Sequence, residues 1–155
     1  MAGTKRKSIG AIPKIVNNFS PKTSNQNIFY NIIGDEDTQL ILCHGIAGTG
    51  KTYVSIYRAL QDVLRRGTPY NKLIIINPKI QQYNESTFTI LDKIIGKAKA
   101  TKMIQDGKME IGVLNFLRGV NLENCYVILD EAQNVSPMQI KTLMTRISED
   151  CKMII

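Results

Sequence analysis

Apolar residues follow two different spacings along this chain, and the switches between them mark out the elements. Leu40-Ile41-Leu42-Cys43, Leu73 to Asn77 and Tyr126 to Leu129 are short, nearly continuous apolar runs. That is the pattern of strands in a parallel sheet covered on both faces. Between them the spacing becomes helical. Ile28, Phe29, Ile32 and Ile33 give an apolar stripe to a helix over Ser24 to Ile33, punctuated at its start by Ser20-Pro21-Lys22-Thr23. Val54, Ile56, Tyr57, Leu60, Val63 and Leu64 give an inner face to a helix ending near Gly67. Further helices are predicted over Glu85 to Ile95, closed by Gly96, and over Lys97 to Asp106. Another runs from Pro137 to about Ile147, with Ser136 as cap and proline at the first helical position. Gly34-Asp35-Glu36-Asp37 and Asp106-Gly107 read as turns, Met109 to Val113 as a short strand, and Asn115 to Val120 as a short helix or loop. Met153-Ile154-Ile155 reads as a last strand. Strands alternating with helices predict an α/β domain, three layers deep, around a mostly parallel sheet.

Composition bounds that picture. The 155 residues are 43% hydrophobic, enough for one domain with a real core. Residues 1–19 are polar and basic, with Lys5-Arg6-Lys7, and are expected to form a flexible arm, leaving 20–155 as the folded domain. The net charge of +7 fits a polyanionic partner such as nucleic acid, or equally a set of solvated lysine faces. No apolar run is long enough to cross a membrane. Cys43, Cys125 and Cys151 are an odd set without metal-ligand spacing, which predicts buried free thiols and a reducing cytoplasm. His44, the sole histidine, is expected to be a packing residue at a strand end.

Two motifs carry chemistry. Gly45-Ile46-Ala47-Gly48-Thr49-Gly50-Lys51-Thr52 matches the phosphate-loop pattern G-x-x-x-x-G-K-[ST], and it lies between a predicted strand and a predicted helix, the context it needs. Glycines let the backbone close around phosphate oxygens, so main-chain N–H groups of Gly45, Ala47, Gly48, Thr49 and Gly50 are candidate donors. Lys51 is expected to reach the β- and γ-phosphates and the Thr52 hydroxyl to ligate magnesium. Downstream, Tyr126-Val127-Ile128-Leu129 runs into Asp130-Glu131. Asp130 would emerge at the carboxyl edge of its strand, where open α/β sheets bind ligands, and hold magnesium. Glu131 would orient and deprotonate an attacking water. ATP and magnesium are therefore the expected ligands, with Lys51 and Glu131 catalytic. The adjacent glutamate also implies a further strand between the phosphate-loop strand and the acidic strand, with Met153 to Ile155 as the candidate.

Val127-Ile128-Leu129-Asp130-Glu131-Ala132-Gln133-Asn134, followed by Gln139-Ile140-Lys141, Thr145-Arg146 and Cys151-Lys152-Met153, resembles the PhoH-like family. The phosphate loop and Pro21-Lys22-Thr23 with Gln26 are similar to that family too, so the resemblance covers roughly residues 20 to 155. It implies a RecA-like phosphate-loop NTPase with a superfamily 1 helicase-like core, linked to RNA metabolism and phosphate starvation and often carried by phages. By that resemblance Gln26 would hold adenine and Gln133 would sense the γ-phosphate. Arg118 and Arg146 would face nucleic acid or a neighbouring nucleotide, or make surface salt bridges. A ring-like homo-oligomer in the cytoplasm of a bacterium or phage-infected host is likewise implied.

Two departures stand out. Gln81-Gln82 follows directly after Ile80, where the family has an acidic and glycine-containing segment. The family also continues beyond the last strand into a Gly-Asp motif and a coupling glutamine, so the domain is expected to be shortened at its C-terminal end.

The motifs point first to ATP hydrolysis coupled to RNA or single-stranded DNA. An ATP-binding module with little or no hydrolysis is the alternative. A small-molecule kinase on the same loop would need an arginine-rich lid, and none stands out. Tyr70, Tyr83, Phe88 and Phe116 are available as stacking aromatics, each with a core or rim role as the plainer reading. Lys79, Lys93, Lys97, Lys99 and Lys102 could form a phosphate-tracking face or a solvated one.

Overall fold

Leu40–Ile41 (β1), Lys72–Ile76 (β2), Met109–Gly112 (β3), Cys125–Leu129 (β4) and Lys152–Ile154 (β5) pair side by side, all parallel, in the order β1-β5-β4-β2-β3. The computed structural model describes residues 15, 17–78, 84–114 and 121–155. The helices are Ser24–Gly34 (α1), Lys51–Leu64 (α2), Asn84–Ile95 (α3), Lys97–Gln105 (α4) and Pro137–Met144 (α5), with a 3₁₀ turn at Ala132–Asn134. Because successive strand side chains point to opposite faces, each apolar run feeds two cores. Leu73, Ile75, Tyr126, Ile128 and Ile154 pack under α1 to α4, while Ile74, Ile76, Val127, Leu129 and Met153 face the side of α5. This is the three-layer α/β architecture of a phosphate-loop NTPase, with a sheet that is wholly parallel. Most of these side chains are fully buried, each worth roughly 1.5–3 kcal/mol.

The inserted strand is where the acidic motif requires it. β5 lies between β1 and β4, with Ile154 in register with both Ile41 and Ile128. Beyond β1 the ladder continues, since the Cys43 N–H donates to the Ile155 carbonyl at 2.7 Å.

Several boundaries differ from the apolar pattern. α2 ends at Leu64, because Arg65 turns extended. α5 ends at Met144 rather than near Ile147. Arg146 and Ser148 instead bond the backbone of Leu122, and Ile147 bridges Leu122 as an isolated parallel pair. α1 does not bury its whole stripe: Ile33 is in the core, but Ile28 and Ile32 are exposed. Cys125 and Cys151 are buried free thiols, whereas Cys43 is only half-buried. His44 is exposed, not a packing residue, because the chain has already left the sheet.

A polar network not apparent in the sequence ties the amino-terminal edge together. Buried Asp62 pairs with Arg58 at 2.7 Å and accepts from the Tyr126 hydroxyl at 2.6 Å. Nearby, the buried Lys152 ammonium donates to the Ile33 carbonyl at 2.9 Å, closing the end of α1. Loss of hydration pulls the Lys152 pKa down, partly offset by Asp62 and Asp35. Arg118, Lys79, Tyr83, Phe116, the 115–120 segment and most of the basic arm lie outside the described residues.

Candidate nucleotide-binding site

The phosphate loop spans the gap between β1 and α2, and both of its ends are held. Its strand end is fixed by the ladder to β5. Its helix end is fixed by Val54, Ile56, Ala59 and Leu60, which bury one side of α2. Within the loop Gly48 and Gly50 have φ of 77° and 85°, a region costing an L-residue roughly 1–2 kcal/mol. α2 begins at Lys51, so its unpaired N–H groups and positive end face the loop's interior. Thr49 Oγ1 donates to the Ile46 carbonyl at 2.9 Å, bracing the curve. The Lys51 ammonium lies across the loop, donating to the carbonyls of Gly45 at 2.8 Å and Ile46 at 2.9 Å. It is a cation held by neutral acceptors at the place where phosphate oxygens would compete for it.

The acidic pair reaches the same place from β4. The Asp130 N–H donates to the Ile76 carbonyl at 3.0 Å, so the aspartate is fixed at the carboxyl edge of the sheet. Thr52 Oγ1 donates to Asp130 Oδ1 at 2.8 Å. Burial pushes the Asp130 carboxyl above its ordinary range; the Thr52 bond opposes that shift and the neighbouring Glu131 charge adds to it. A desolvated carboxylate beside a hydroxyl is an oxygen donor set of the kind magnesium shares with phosphate oxygens and water. Among the described residues no group of three or more His, Cys, Asp or Glu could hold a metal by itself. The Thr52–Asp130 pair fits an ion brought in with a triphosphate, not a metal caged by protein alone.

Glu131 sits in the left-handed region with φ 56° and ψ 41°. That is costly for a non-glycine residue, and such outliers cluster at functional sites. The turn places its carboxylate where the Gln133 amide donates to it, and its carbonyl accepts from the Asn134 N–H at 3.0 Å.

One cleft of about 590 Å³ collects these groups: Gly45, Ala47, Gly48, Thr49, Gly50, Lys51, Thr52, Asp130, Glu131 and Gln133 all line it. Tyr53, Ser55, Ile90, Ile154 and Ile155 line it as well. Tyr53 and Ser55 could have been found by following α2 past Thr52, but Ile90 carries no sequence signal. Gln26 does not line that cleft. It borders a second groove, of about 820 Å³, between α1 and the outer side of the phosphate loop. Cys43, His44, Gly45, Gly48, Thr49 and Lys51 border both, so the two are continuous along the loop. Arg146 is absent from both linings. Tyr70 packs tilted against Tyr126, 4.4 Å between ring centroids, at the opposite edge of the sheet. Lys93, Lys97 and Lys102 are exposed, as is Phe88.

The chain belongs to the PhoH-like protein family, whose profile matches residues 18–92 and 76–155. It is 33% identical over 133 residues to a PhoH-like protein of Bacillus subtilis (strain 168), covering 75% of this chain and 41% of that relative. A PhoH-like protein of Synechocystis is 30% identical over 151 residues, covering 86% of this chain and 45% of the relative. Protein PhoH of Escherichia coli (strain K12) is 30% identical over 139 residues, covering 77% and 39%. The chain thus spans less than half the length of these curated relatives. Membership places it in a phosphate-loop, ATPase-like family and supports nucleotide binding in general.

Proposed function

We propose that this chain binds ATP with magnesium in the cleft between the phosphate loop and the acidic turn, and that it hydrolyses the bound ATP in association with RNA or single-stranded DNA. The observation that carries the nucleotide half is the 2.8 Å contact between Thr52 and Asp130, which joins two motifs distant in sequence at the mouth of α2. The β-phosphate fits within the loop, against its N–H groups. Lys51 leaves the carbonyls of Gly45 and Ile46 to pair with β- and γ-oxygens. Thr52 and Asp130 hold the magnesium ion, directly or through water. When bound, that ion offsets negative charge on the phosphate oxygens.

Glu131 performs the proton transfer. It accepts a proton from water as the water oxygen bonds to the γ-phosphorus and the bond from that phosphorus to the bridging oxygen breaks, leaving ADP and phosphate. Gln133, already on the Glu131 carboxylate, fixes its direction and lies on the same cleft wall. The wall of Leu129, Ile90 and Ile154 limits water around the reacting groups.

Support for the nucleic-acid half is electrostatic: a net charge of +7, with Lys93, Lys97 and Lys102 exposed on α3 and α4. Phosphate release measured with and without RNA and single-stranded DNA tests both halves. Stimulated release that is lost in Lys51→Ala supports the whole proposal. Equal release with and without polymer removes the nucleic-acid half. Tight ATP binding with no release identifies a binding module instead.

A further inference from the structure

We propose that Gln26 clamps the phosphate loop instead of reading the base, and that the nucleoside lies on an apolar wall that distinguishes bases poorly. The inference rests on the nucleotide site proposed above. Both ends of the Gln26 amide are committed to backbone. Its Oε1 accepts from the Lys22 N–H at 2.8 Å, and its Nε2 donates to the Thr49 carbonyl at 2.9 Å. Its own N–H donates to the Thr23 cap hydroxyl at 3.2 Å, so the residue is fixed in the first turn of α1. The amide also lies close over the loop, 3.4 Å from where a Cβ on Gly50 would stand. An amide so placed sets the curvature of the loop that holds phosphate. Each end of the amide already has a backbone partner, so its direction is set by the chain and not by a base.

The direction of the nucleotide follows from the two hollows flanking the loop. The γ-phosphate end belongs beside Thr52, Asp130 and Glu131, in the cleft on the β4 side. The nucleoside must therefore leave on the other side, past β1, the edge strand of the sheet. There the groove presents Ile28, Ile32, Leu42 and Ile46, with Leu42 and Ile46 exposed by 72% and 82%. Aliphatic side chains of this size left to water beside a phosphate loop suit the flat face of a base and the edge of a ribose. Asn25 and His44 also border the groove, but both side chains are exposed. A hydrogen bond made in water's reach discriminates little. Sites built to read a polar edge reject the wrong ligand by factors of roughly 10⁴ or more, whereas apolar pockets separate ligands by about 10² at most.

Calorimetric titration of the whole chain with ATP, GTP, UTP and inorganic tripolyphosphate, each with magnesium, tests this. The three nucleotides should bind within about tenfold of one another. Gln26→Ala should weaken all four ligands by a similar factor, about five- to tenfold, tripolyphosphate included, as loss of the hydrogen bond that braces the loop at Thr49 implies. Gln26→Met removes the amide's hydrogen bonds without adding charge beside the phosphates, so it should reproduce that loss with the helix content unchanged by circular dichroism. Leu42→Ser should weaken the nucleotides and leave tripolyphosphate unchanged. Preference for ATP over GTP by more than a hundredfold, or a Gln26→Ala defect confined to ATP, overturns the inference while leaving the nucleotide site standing. Absence of binding by all four ligands in the parent chain removes the site and the inference together.

Discussion

Thr52 and Asp130 are 78 positions apart in the chain, yet the hydroxyl of one donates to the carboxylate of the other at 2.8 Å. Three parallel strands make that meeting possible. β1 delivers the loop that precedes Thr52, β4 delivers Asp130, and β5 between them sets the spacing. Under the function proposed, these two groups would be a magnesium ion's protein ligands, and the consequences are open to measurement.

The Lys51 ammonium rests on two neutral carbonyls, so its removal costs the fold little and the phosphates a great deal. Lys51→Ala should weaken ATP binding about 100-fold, equivalent to ~2.7 kcal/mol. The melting temperature without ligand should stay within about 2 °C of the parent. Calorimetry and a thermal melt on the same samples check both.

Asp130 should make the ligand-free protein less stable at neutral pH than it need be. Burial raises its folded pKa above the unfolded value, so the fold favours the protonated acid. The resulting penalty is absent below the ordinary aspartate value, about 3.9, and grows as pH rises from there through the folded pKa. Asp130→Asn should therefore raise the melting temperature at pH 7 by about 2 °C, with the gain shrinking as the pH is lowered toward 4. Magnesium-dependent nucleotide affinity should move the other way, weakening in the parent chain as Asp130 takes up its proton.

Cys43 lies half-buried on both sides of the phosphate loop, with a thiol pKa raised by burial and partly restored by Lys51. Maleimide should label it slowly, and slower still with ATP and magnesium present. Cys125 and Cys151, both buried, should label only on unfolding. Peptide mass spectrometry separates the three sites. Equal labelling of Cys43 with and without nucleotide counts against a nucleotide on either side of the loop.

Stability should depend on buried groups within the sheet as well as on the site. Tyr126→Phe strips one hydrogen bond from buried Asp62 and should cost about 1.5 kcal/mol. Met153→Ala opens space in the inserted strand and should cost about 2–4 kcal/mol. Urea denaturation measures both. Tyr126→Phe should leave ATP affinity unchanged.

Much of this arrangement was legible in the residues. The apolar runs located β1, β2 and β4, and the phosphate-loop pattern placed Lys51 and Thr52 at the start of α2. The Asp130-Glu131 pair implied the inserted strand that β5 supplies. What stayed hidden depended on tertiary contact. Asp62 reads as a surface position on a polar stretch of helix, and only the approach of Tyr126 and Arg58 makes it a buried anchor. Ile28 and Ile32 share helical spacing with Ile33, but the core reaches only part of that stripe. α5 ended early because the backbone of Leu122 competes for Arg146 and Ser148, a long-range pairing that no local pattern announces. Thr23 and Gln26 have the spacing of a helix-start capping box, but the Gln26 side chain accepts from Lys22, one residue before the cap, so that spacing does not give its first anchor. Its second anchor, the Thr49 carbonyl, needed the fold.

Binding of ATP to the parent chain and to Asp130→Asn, titrated by calorimetry in magnesium and again in EDTA, tests the convergence of the two motifs most directly. The parent should bind about tenfold more tightly with magnesium than without, and Asp130→Asn should lose most of that difference while keeping its affinity in EDTA. An unchanged magnesium response in Asp130→Asn would contradict the account, because Asp130 would then lie outside the ion's reach.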